Sequence, residues 1–289
     1  MKKHLPTIIL IIVFTAGLSL LLYPTVSDYI NSLHQSRAIA SYEEDLLNLP
    51  EADYSAYWKA AEEYNQRVFE DQDRLRVTAE EEADYVSQLN VLGNGIMGYI
   101  EINSIGVKLP IYHGTSDSVL QVGVGHLANT SLPVGGESTH SVLSGHRGLP
   151  SAKLFTDLDQ LVVGDVFLLH ILDQVLAYQV DNISIVEPTD VAVLDIVEGK
   201  DYCTLVTCTP YGINSHRLLV RGERIEYNEE VINTVTVTAD AVKVDPSLVA
   251  PFVAAPILIG LFIWLILSTR TKKEQQTTEK EQQRESDEK

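Results

Sequence analysis

The sequence predicts a mainly β protein, an antiparallel barrel or sandwich, with a helical extension before it and an apolar segment at each end. From residue 93 onward, Val, Ile, Leu and Tyr alternate with polar residues, and clusters of Gly, Pro, Asn and Ser interrupt them. This pattern is typical of short strands joined by turns. Residues 27–90 are rich in Ala, Glu, Gln and Leu and poor in Gly, which favours helices. Residues 7–22 and 248–267 are almost wholly apolar.

The two apolar segments predict transmembrane helices, because each is near the length that spans a bilayer. Basic residues lie outside both, at Lys2, Lys3, Arg270, Lys272 and Lys273. Since basic residues stay on the cytoplasmic side, we expect a two-pass protein of the cell membrane with both termini in the cytoplasm and the middle of the chain extracellular. A cleaved signal peptide is the alternative for the first segment. It is disfavoured because no good Ala-x-Ala-like site follows.

The chain is therefore expected to comprise consecutive segments with distinct roles. They are a cytoplasmic N-terminus (1–6), a transmembrane anchor (7–23), an extracellular helical extension with a lid region (24–92), a β domain (93–228), a stalk (229–246), a transmembrane helix (247–268) and a disordered cytoplasmic tail (269–289). Helices are predicted at 38–49, 54–68 and 79–89. Strands are predicted at 97–102, 107–112, 141–144, 166–171, 174–186, 202–208 and 217–226. Strands of this number and length favour a barrel or a sandwich.

The charge balance limits the classes of partner and cofactor. The chain has 21 Lys and Arg against 40 Asp and Glu, a net charge of −19. This excess argues against nucleic acid as a partner, because a phosphate-binding face needs clustered basic side chains. No group of His, Cys, Asp and Glu has the spacing of a metal site, and residues 93–95 lack the context of a nucleotide-binding loop. We therefore expect no metal and no cofactor.

The two cysteines, Cys203 and Cys208, lie on one predicted strand. Five residues of extended chain span about 17 Å, which is too far for a disulfide. Side chains alternate along a strand, so these two point to opposite faces. Cys203 is then a small buried side chain, and Cys208 is the thiol on the functional face.

Three side chains suggest thiol chemistry. Cys208 ends an apolar run just before a Pro-Tyr-Gly turn, Arg217 begins the next strand, and His146 follows Ser-Gly. A thiol, an imidazole and a guanidinium are sufficient for thiol-dependent acyl transfer. Each has a structural alternative. A lone cysteine is commonly a packing residue, the chain has 8 histidines, and Arg221 shares a strand face with Arg217.

These residues stand in motifs that resemble the sortase family, and within it the class C sortases that polymerise pilins. Residues 204–208 read Thr-Leu-Val-Thr-Cys, matching the family signature Thr-Leu-x-Thr-Cys with a following arginine. Residues 98–102 (Gly-Tyr-Ile-Glu-Ile), 109–114 (Leu-Pro-Ile-Tyr-His-Gly) and 145–155 (beginning Gly-His-Arg-Gly-Leu-Pro) also resemble the family. The similarity runs from about residue 93 to about residue 225 and identifies a closed eight-stranded sortase-type β-barrel.

The resemblance implies an enzyme, a cysteine transpeptidase (thiol peptidase), that cleaves a Leu-Pro-x-Thr-Gly-like signal between Thr and Gly. The family forms a thioester on the cysteine and passes the acyl group to an amine, in class C a lysine of the next pilin. Cys208 would be the nucleophile, His146 the general acid and then base, and Arg217 the oxyanion partner. The implied partners are pilin or surface-protein substrates with an acceptor lysine, and the membrane.

One part of the class C pattern is missing. Class C lids carry an Asp-Pro-aromatic motif, and no such triplet precedes the predicted barrel. Phe69 with Asp71 or Asp73 could make the same contacts, whereas an acidic, solvated linker is the simpler interpretation. We therefore predict a divergent or absent lid and assign no site residue to it.

Two other functions compete with pilus assembly. One is a sortase that anchors surface proteins to a peptidoglycan amine, which the C-terminal anchor and the N-terminal extension argue against. The other is a non-catalytic adhesive β domain between two anchors. The joint occurrence of Cys208, His146 and Arg217 in their motifs argues against it.

Overall fold

The computed structural model describes residues 5–71, 78–91, 93–228, 254–264 and residue 267. The chain divides into two units, one with residues 1–26 and 242–289 and the other with residues 27–241. The predicted stalk at 229–246, the tail at 269–289 and the lid segment at 72–77, with Asp73, lie outside the described residues.

The first unit contains the start of helix α1 (Leu5–Leu47) and an apolar helix (Ala254–Trp264), here α5. Phe14 and Phe262 stack with ring centroids 4.0 Å apart. Of the described helices, α1 is the one long and apolar enough to cross a membrane, with a mean hydropathy of 2.2 over its apolar stretch. A signal sequence has the same properties. Helix α5 is shorter than the roughly 20 residues that a span needs, so the predicted two-pass topology is not confirmed.

The second unit begins with a helical extension, as predicted. It comprises the rest of α1, then α2 (Glu51–Glu70) and α3 (Ala79–Ser87). Pro50 precedes α2, and a capping box between Thr78 and Glu81 starts α3. Helix α1 joins the predicted anchor helix at 7–23 and the predicted helix at 38–49, because the chain stays helical through Pro24 and the residues between them.

Polar contacts attach this extension to the β domain. The Tyr42 hydroxyl of α1 donates to the Met97 carbonyl at 3.0 Å and accepts from the Leu172 N–H at 2.9 Å. Its burial raises the pKa of Tyr42 above its ordinary range. The Asn65 side chain of α2 pairs with both backbone groups of Leu132, with Nδ2 to O at 3.2 Å and N to Oδ1 at 2.6 Å. These bonds place the extension on the outside of the barrel.

The β domain is a closed barrel of eight strands in the order β1-β2-β3-β4-β7-β8-β6-β5. The strands are β1 (Ile96–Ile102), β2 (Val107–His113), β3 (Val124–His126), β4 (Thr139–Ser144), β5 (Val166–Ile171), β6 (Gln174–Val186), β7 (Asp201–Thr209) and β8 (His216–Ile225). A four-residue helix, α4 (Asp117–Leu120), precedes β3. All seven predicted strands are present, and the eighth, β3, has three residues and so no readable alternation.

The barrel is not wholly antiparallel, which corrects the expectation from the strand pattern. The β2–β3 and β4–β7 pairs are parallel. The chain leaves β4, forms the β5–β6 hairpin and returns to β7 beside β4 in the same direction. This crossover brings the C-terminal ends of β4 and β7 together at one edge of the barrel.

The two cysteines of β7 face opposite sides of the strand, as predicted. Cys203 and Leu205 of β7 are fully buried in the core with Leu143 of β4. Burial raises the pKa of the Cys203 thiol well above its ordinary value, so this thiol stays protonated. Cys208 has the opposite parity and is partly exposed, and both cysteines are free. The outer face of β7 therefore carries the one thiol that solvent reaches among the described residues.

Candidate active site

Cys208 is the next-to-last residue of β7 and shares the outer face of that strand with Thr204 and Val206. The chain turns immediately afterwards, at residues 210–215, where the side chains are exposed. The Cys208 thiol is thus partly exposed at the end of a strand, as a reactive thiol requires.

Arg217 lies directly opposite Cys208 in the antiparallel β7–β8 ladder. Its Nη1 donates to the carbonyls of Asn214 at 3.2 Å and His216 at 3.1 Å, which hold the guanidinium at the β7–β8 turn. Arg221, the alternative left open by periodicity, lies opposite Thr204 instead. Its Nε and Nη2 donate to the two Asp181 carboxylate oxygens at 3.1 and 2.6 Å. Register therefore pairs Arg217, and not Arg221, with the thiol.

His146 follows the end of β4 by two residues. In the parallel β4–β7 ladder Ser144 pairs with Val206, and the Gly145 N–H donates to the Val206 carbonyl at 3.0 Å. The Thr207 hydroxyl donates to the Gly145 carbonyl at 2.7 Å. The ladder ends there, and His146 and Cys208 each follow two residues after its last pair. The three candidate residues thus come from three adjacent strands, with Cys208 in the middle.

The loop that carries His146 is tightly held. The His146 carbonyl accepts a hydrogen bond from the Phe155 N–H at 3.1 Å. A Cβ on Gly145 would lie 2.6 Å from the Phe155 ring, so only glycine fits before the histidine. Helix α1 holds the far side of the loop, where Asp28 accepts from the Lys153 N–H at 2.7 Å and Asn31 donates to the Ser151 carbonyl at 2.6 Å.

The competing histidines within the described residues have structural partners. His126 is fully buried. Its Nε2 lies 2.8 Å from the Ser131 carbonyl, and its Nδ1 lies 3.0 Å from the Tyr85 hydroxyl, which donates to the His126 carbonyl. Burial lowers the pKa of His126 to about 4. Burial also lowers the pKa of His113, whose nitrogens lie 3.0 and 2.7 Å from two backbone carbonyls.

Three further histidines of the β domain compete with His146. His140 contacts Thr204 Oγ1 at 2.7 Å and the Asp195 carbonyl at 3.0 Å. His170 stacks on Tyr99 with ring centroids 4.2 Å apart. His216 is exposed and lies opposite Thr209, one residue away from Cys208. Only His146 continues the strand beside the thiol.

Two contact residues of the site were not identified from the sequence. Thr207 is buried and fixes the backbone before His146, and Arg147 contacts Thr209 and Asp159. Thr207 is part of the signature at 204–208 and Arg147 is part of the block at 145–155, so the motifs contain both residues but gave neither of them a role. Among the described residues, no group of three or more His, Cys, Asp or Glu could hold a metal ion. Phe69 is partly exposed at the end of α2, and the prediction of a divergent or absent lid stays a prediction.

The sequence matches a family model described as "Sortase domain" over residues 100–225. Among curated relatives, it is 30% identical to Sortase D of Bacillus subtilis over 131 residues, 44% of this chain and 63% of that protein. It is 33% identical to Sortase A of Streptococcus agalactiae over 131 residues, 44% of this chain and 52% of that protein. The matches thus span less than two thirds of the length of these two relatives.

Solved structures give fuller matches. Sortase C1 from Streptococcus agalactiae is 52% identical with a TM-score of 0.65, and the match covers 66% of this chain and 100% of that one. Streptococcus pneumoniae sortase C is 45% identical with a TM-score of 0.59, covering 66% of this chain and 97% of that one. Clostridium perfringens sortase C, solved with a C-terminal cell wall sorting motif, is 46% identical with a TM-score of 0.58, covering 66% and 100%.

Proposed function

We infer that this chain, which belongs to class C of the sortase family, is a membrane-anchored cysteine transpeptidase. Its proposed function is the covalent joining of pilin subunits. The observation that carries the proposal is the placement of Cys208 between Arg217, its ladder partner, and His146, which continues the neighbouring strand. The substrate is a Leu-Pro-x-Thr-Gly-like sorting signal, and the acceptor is a lysine amine of another pilin.

The first half-reaction transfers the acyl group to the enzyme. The Cys208 thiolate attacks the threonine carbonyl carbon, and the electron pair of the carbonyl moves to its oxygen. When the carbonyl re-forms, the bond between carbon and the glycine nitrogen breaks, and His146 donates a proton to the departing amine. The products are a thioester on Cys208 and a released peptide that begins with glycine.

The second half-reaction reverses the roles. The acceptor lysine attacks the thioester carbonyl as a neutral amine and loses a proton to His146. The carbon–sulfur bond then breaks and leaves an isopeptide bond and the Cys208 thiolate. In both halves a negative charge develops on the carbonyl oxygen, and the fixed charge of Arg217 stabilises it from the adjacent strand.

The choice of pilin as substrate rests on the relatives. The solved structures at 45–52% identity are sortases C, and the Streptococcus pneumoniae structure is described as giving insight into pilin substrate specificity. We further propose that the segments at 7–23 and 247–268 both cross the membrane, with the domain at 93–228 outside, the lid region within 24–92 and the stalk at 229–246. Such tethering keeps the enzyme beside substrates that are themselves anchored in the membrane.

The test uses the full chain in detergent micelles with a Leu-Pro-x-Thr-Gly peptide, followed by intact mass. The expected result is an adduct that ends at threonine on the wild-type chain and is absent from Cys208→Ala. Adding a lysine-containing pilin peptide should discharge the adduct into an isopeptide-linked product. If an amine of the peptidoglycan type discharges it and the pilin lysine does not, the protein anchors surface proteins to the wall. Absence of an adduct with every signal variant would refute a transpeptidase.

A further inference from the structure

We propose that Arg147 is a positioning residue that sets the spacing between His146 and Cys208. This role rests on the function proposed above, because it concerns the same two side chains. Arg147 follows His146 in the chain, and Thr209 follows Cys208. The Arg147 Nη1 donates to the Thr209 hydroxyl at 3.2 Å and so joins the residues that come directly after the candidate acid–base and the candidate nucleophile.

This contact lies where the backbone ladder has stopped. The β4–β7 pairing ends at Ser144 and Val206, two residues before His146 and Cys208. From there, side chains connect the two chain segments. Thr207 donates to the Gly145 carbonyl before the candidate pair, and Arg147 donates to Thr209 after it. The His146–Cys208 pair is therefore bracketed by one side-chain hydrogen bond on each side.

The second half of the Arg147 guanidinium is held as well. Nη2 donates to the carboxylate of Asp159, which lies in a short 3-10 helix (Leu158–Gln160) after the His146 loop. Only 10% of the Arg147 side chain is exposed, whereas 46% of the Asp159 side chain is exposed. A planar fork with two separate acceptors has one orientation, which a lysine ammonium on a flexible stem does not reproduce.

Burial and parity indicate positioning and not direct catalysis. Thr209 is buried and alternates with Cys208 along β7, so its hydroxyl lies on the face away from the thiol. Arg147 contacts that hydroxyl and lies on the same side. Its Nε is buried and has no hydrogen-bond partner among the described residues, an arrangement that persists only when the surrounding contacts hold the side chain in place. Arg147 therefore acts through the backbone of His146.

The experiment measures kcat and KM separately with a fluorogenic sorting-signal peptide, using the full chain in detergent. The variants are Arg147→Lys, which keeps the charge and removes the fork, and Thr209→Val, which removes only the acceptor. Arg221→Lys is the matched control, because Arg221 also forms a forked ion pair on a neighbouring strand. We expect kcat to fall about 10- to 100-fold in the first two variants with KM changed less than about 2-fold, since small misplacement of reacting groups lowers kcat this much.

The variants distinguish a general loss of folding from a displacement of His146 relative to Cys208. If Arg147→Lys does not fold, as judged by circular dichroism, Thr209→Val decides the question. Equal kcat values in Thr209→Val and Arg221→Lys would overturn the proposal, and so would a rise in KM with kcat unchanged.

A second measurement does not need a substrate. Iodoacetamide labels Cys208 faster when an imidazolium stabilises the thiolate, so Arg147→Lys and Thr209→Val should label several-fold more slowly than wild type and Arg221→Lys. If none of the signal peptides acylates the wild-type chain, the proposed function fails, while this labelling still tests the positioning role of Arg147. Unchanged labelling rates in both variants would contradict that role.

Discussion

The outer face of β4, β7 and β8 carries two similar groups of three residues. The candidate trio is His146, Cys208 and Arg217, and the second, here called the structural trio, is His140, Thr204 and Arg221. In both, a histidine comes from β4 or its end, a hydroxyl or thiol from β7, and its ladder partner, an arginine, from β8. The two trios lie four residues apart along β7.

The difference lies in burial and in partners. Thr204 and His140 are each about 1% exposed, and His140 is held between the Thr204 hydroxyl and the Asp195 carbonyl. Arg221 is paired with Asp181 through two hydrogen bonds. All three members of the candidate trio are partly exposed at the open end of the strands. Similar residues on one barrel face are thus buried and paired in the structural trio and partly exposed in the candidate trio.

The largest difference between the two trios is expected for substitutions of their β7 residues, Cys208 and Thr204. Cys208→Ala removes the nucleophile, so no acyl-enzyme forms. Thr204→Val removes the buried hydrogen bond between Thr204 and His140, which should lower the free energy of unfolding by about 0.5–1.5 kcal/mol with the thioester still formed. Intact mass and urea unfolding measure the two. A Cys208→Ala chain that still forms an adduct with the peptide would remove the basis for the proposed mechanism.

The second largest difference is expected between substitutions of the two histidines, His146 and His140. His146→Ala removes the proposed acid–base and should lower kcat by about 10²–10⁴ with the melting temperature little changed. His140→Ala should lower the melting temperature and keep kcat within about 10-fold, because His140 holds a loop and does not face the thiol. Steady-state kinetics and differential scanning calorimetry compare them. The reverse ranking would mean that the active histidine is misassigned.

The arginines give the smallest of the three kinetic contrasts. Arg217→Lys should lower kcat about 10²–10³-fold, because a displaced charge no longer meets the developing oxyanion. Arg221→Lys should stay within about 2-fold of wild type, since its partner Asp181 is on β6 and away from Cys208. Both are measured with the fluorogenic peptide at saturation. Equal losses would indicate that the field of the whole face, and not the ladder partner, matters.

The fully buried His126 should make stability depend on pH without affecting the reaction. The pKa of His126 is lowered to about 4 in the fold and returns toward its ordinary 6.5 on unfolding. Between these values the unfolded chain binds more protons, so stability falls as the pH drops from about 6.5 to about 4, by at most about 3 kcal/mol. Urea midpoints between pH 7 and pH 4.5 measure this slope. The slope should decrease in His126→Gln, with a remainder from His113, whose pKa burial also lowers, and it should persist in His146→Gln. An unchanged slope in His126→Gln would exclude His126 as a source.

Much of the barrel is readable in the residues themselves. The predicted bounds of β5 and β6 agree with the structure, because both segments are rich in apolar residues and a two-residue turn joins them. The three residues of β3 are too few for alternation, and the parallel β4–β7 pair joins segments far apart in sequence. Strand direction depends on how the whole sheet closes, which no local pattern contains.

For the candidate site and the two trios, too, the sequence determined some features and the tertiary structure determined others. The sequence alone determined that Cys208 and Cys203 face opposite ways, since alternation is a property of one strand. Motif resemblance singled out His146 and Arg217. The tertiary structure added the ladder register that places Arg217, and not Arg221, opposite Cys208, and it alone revealed the contact between Arg147 and Thr209. Ladder register and burial decide such questions, and both are set by pairing between strands that the linear chain keeps apart.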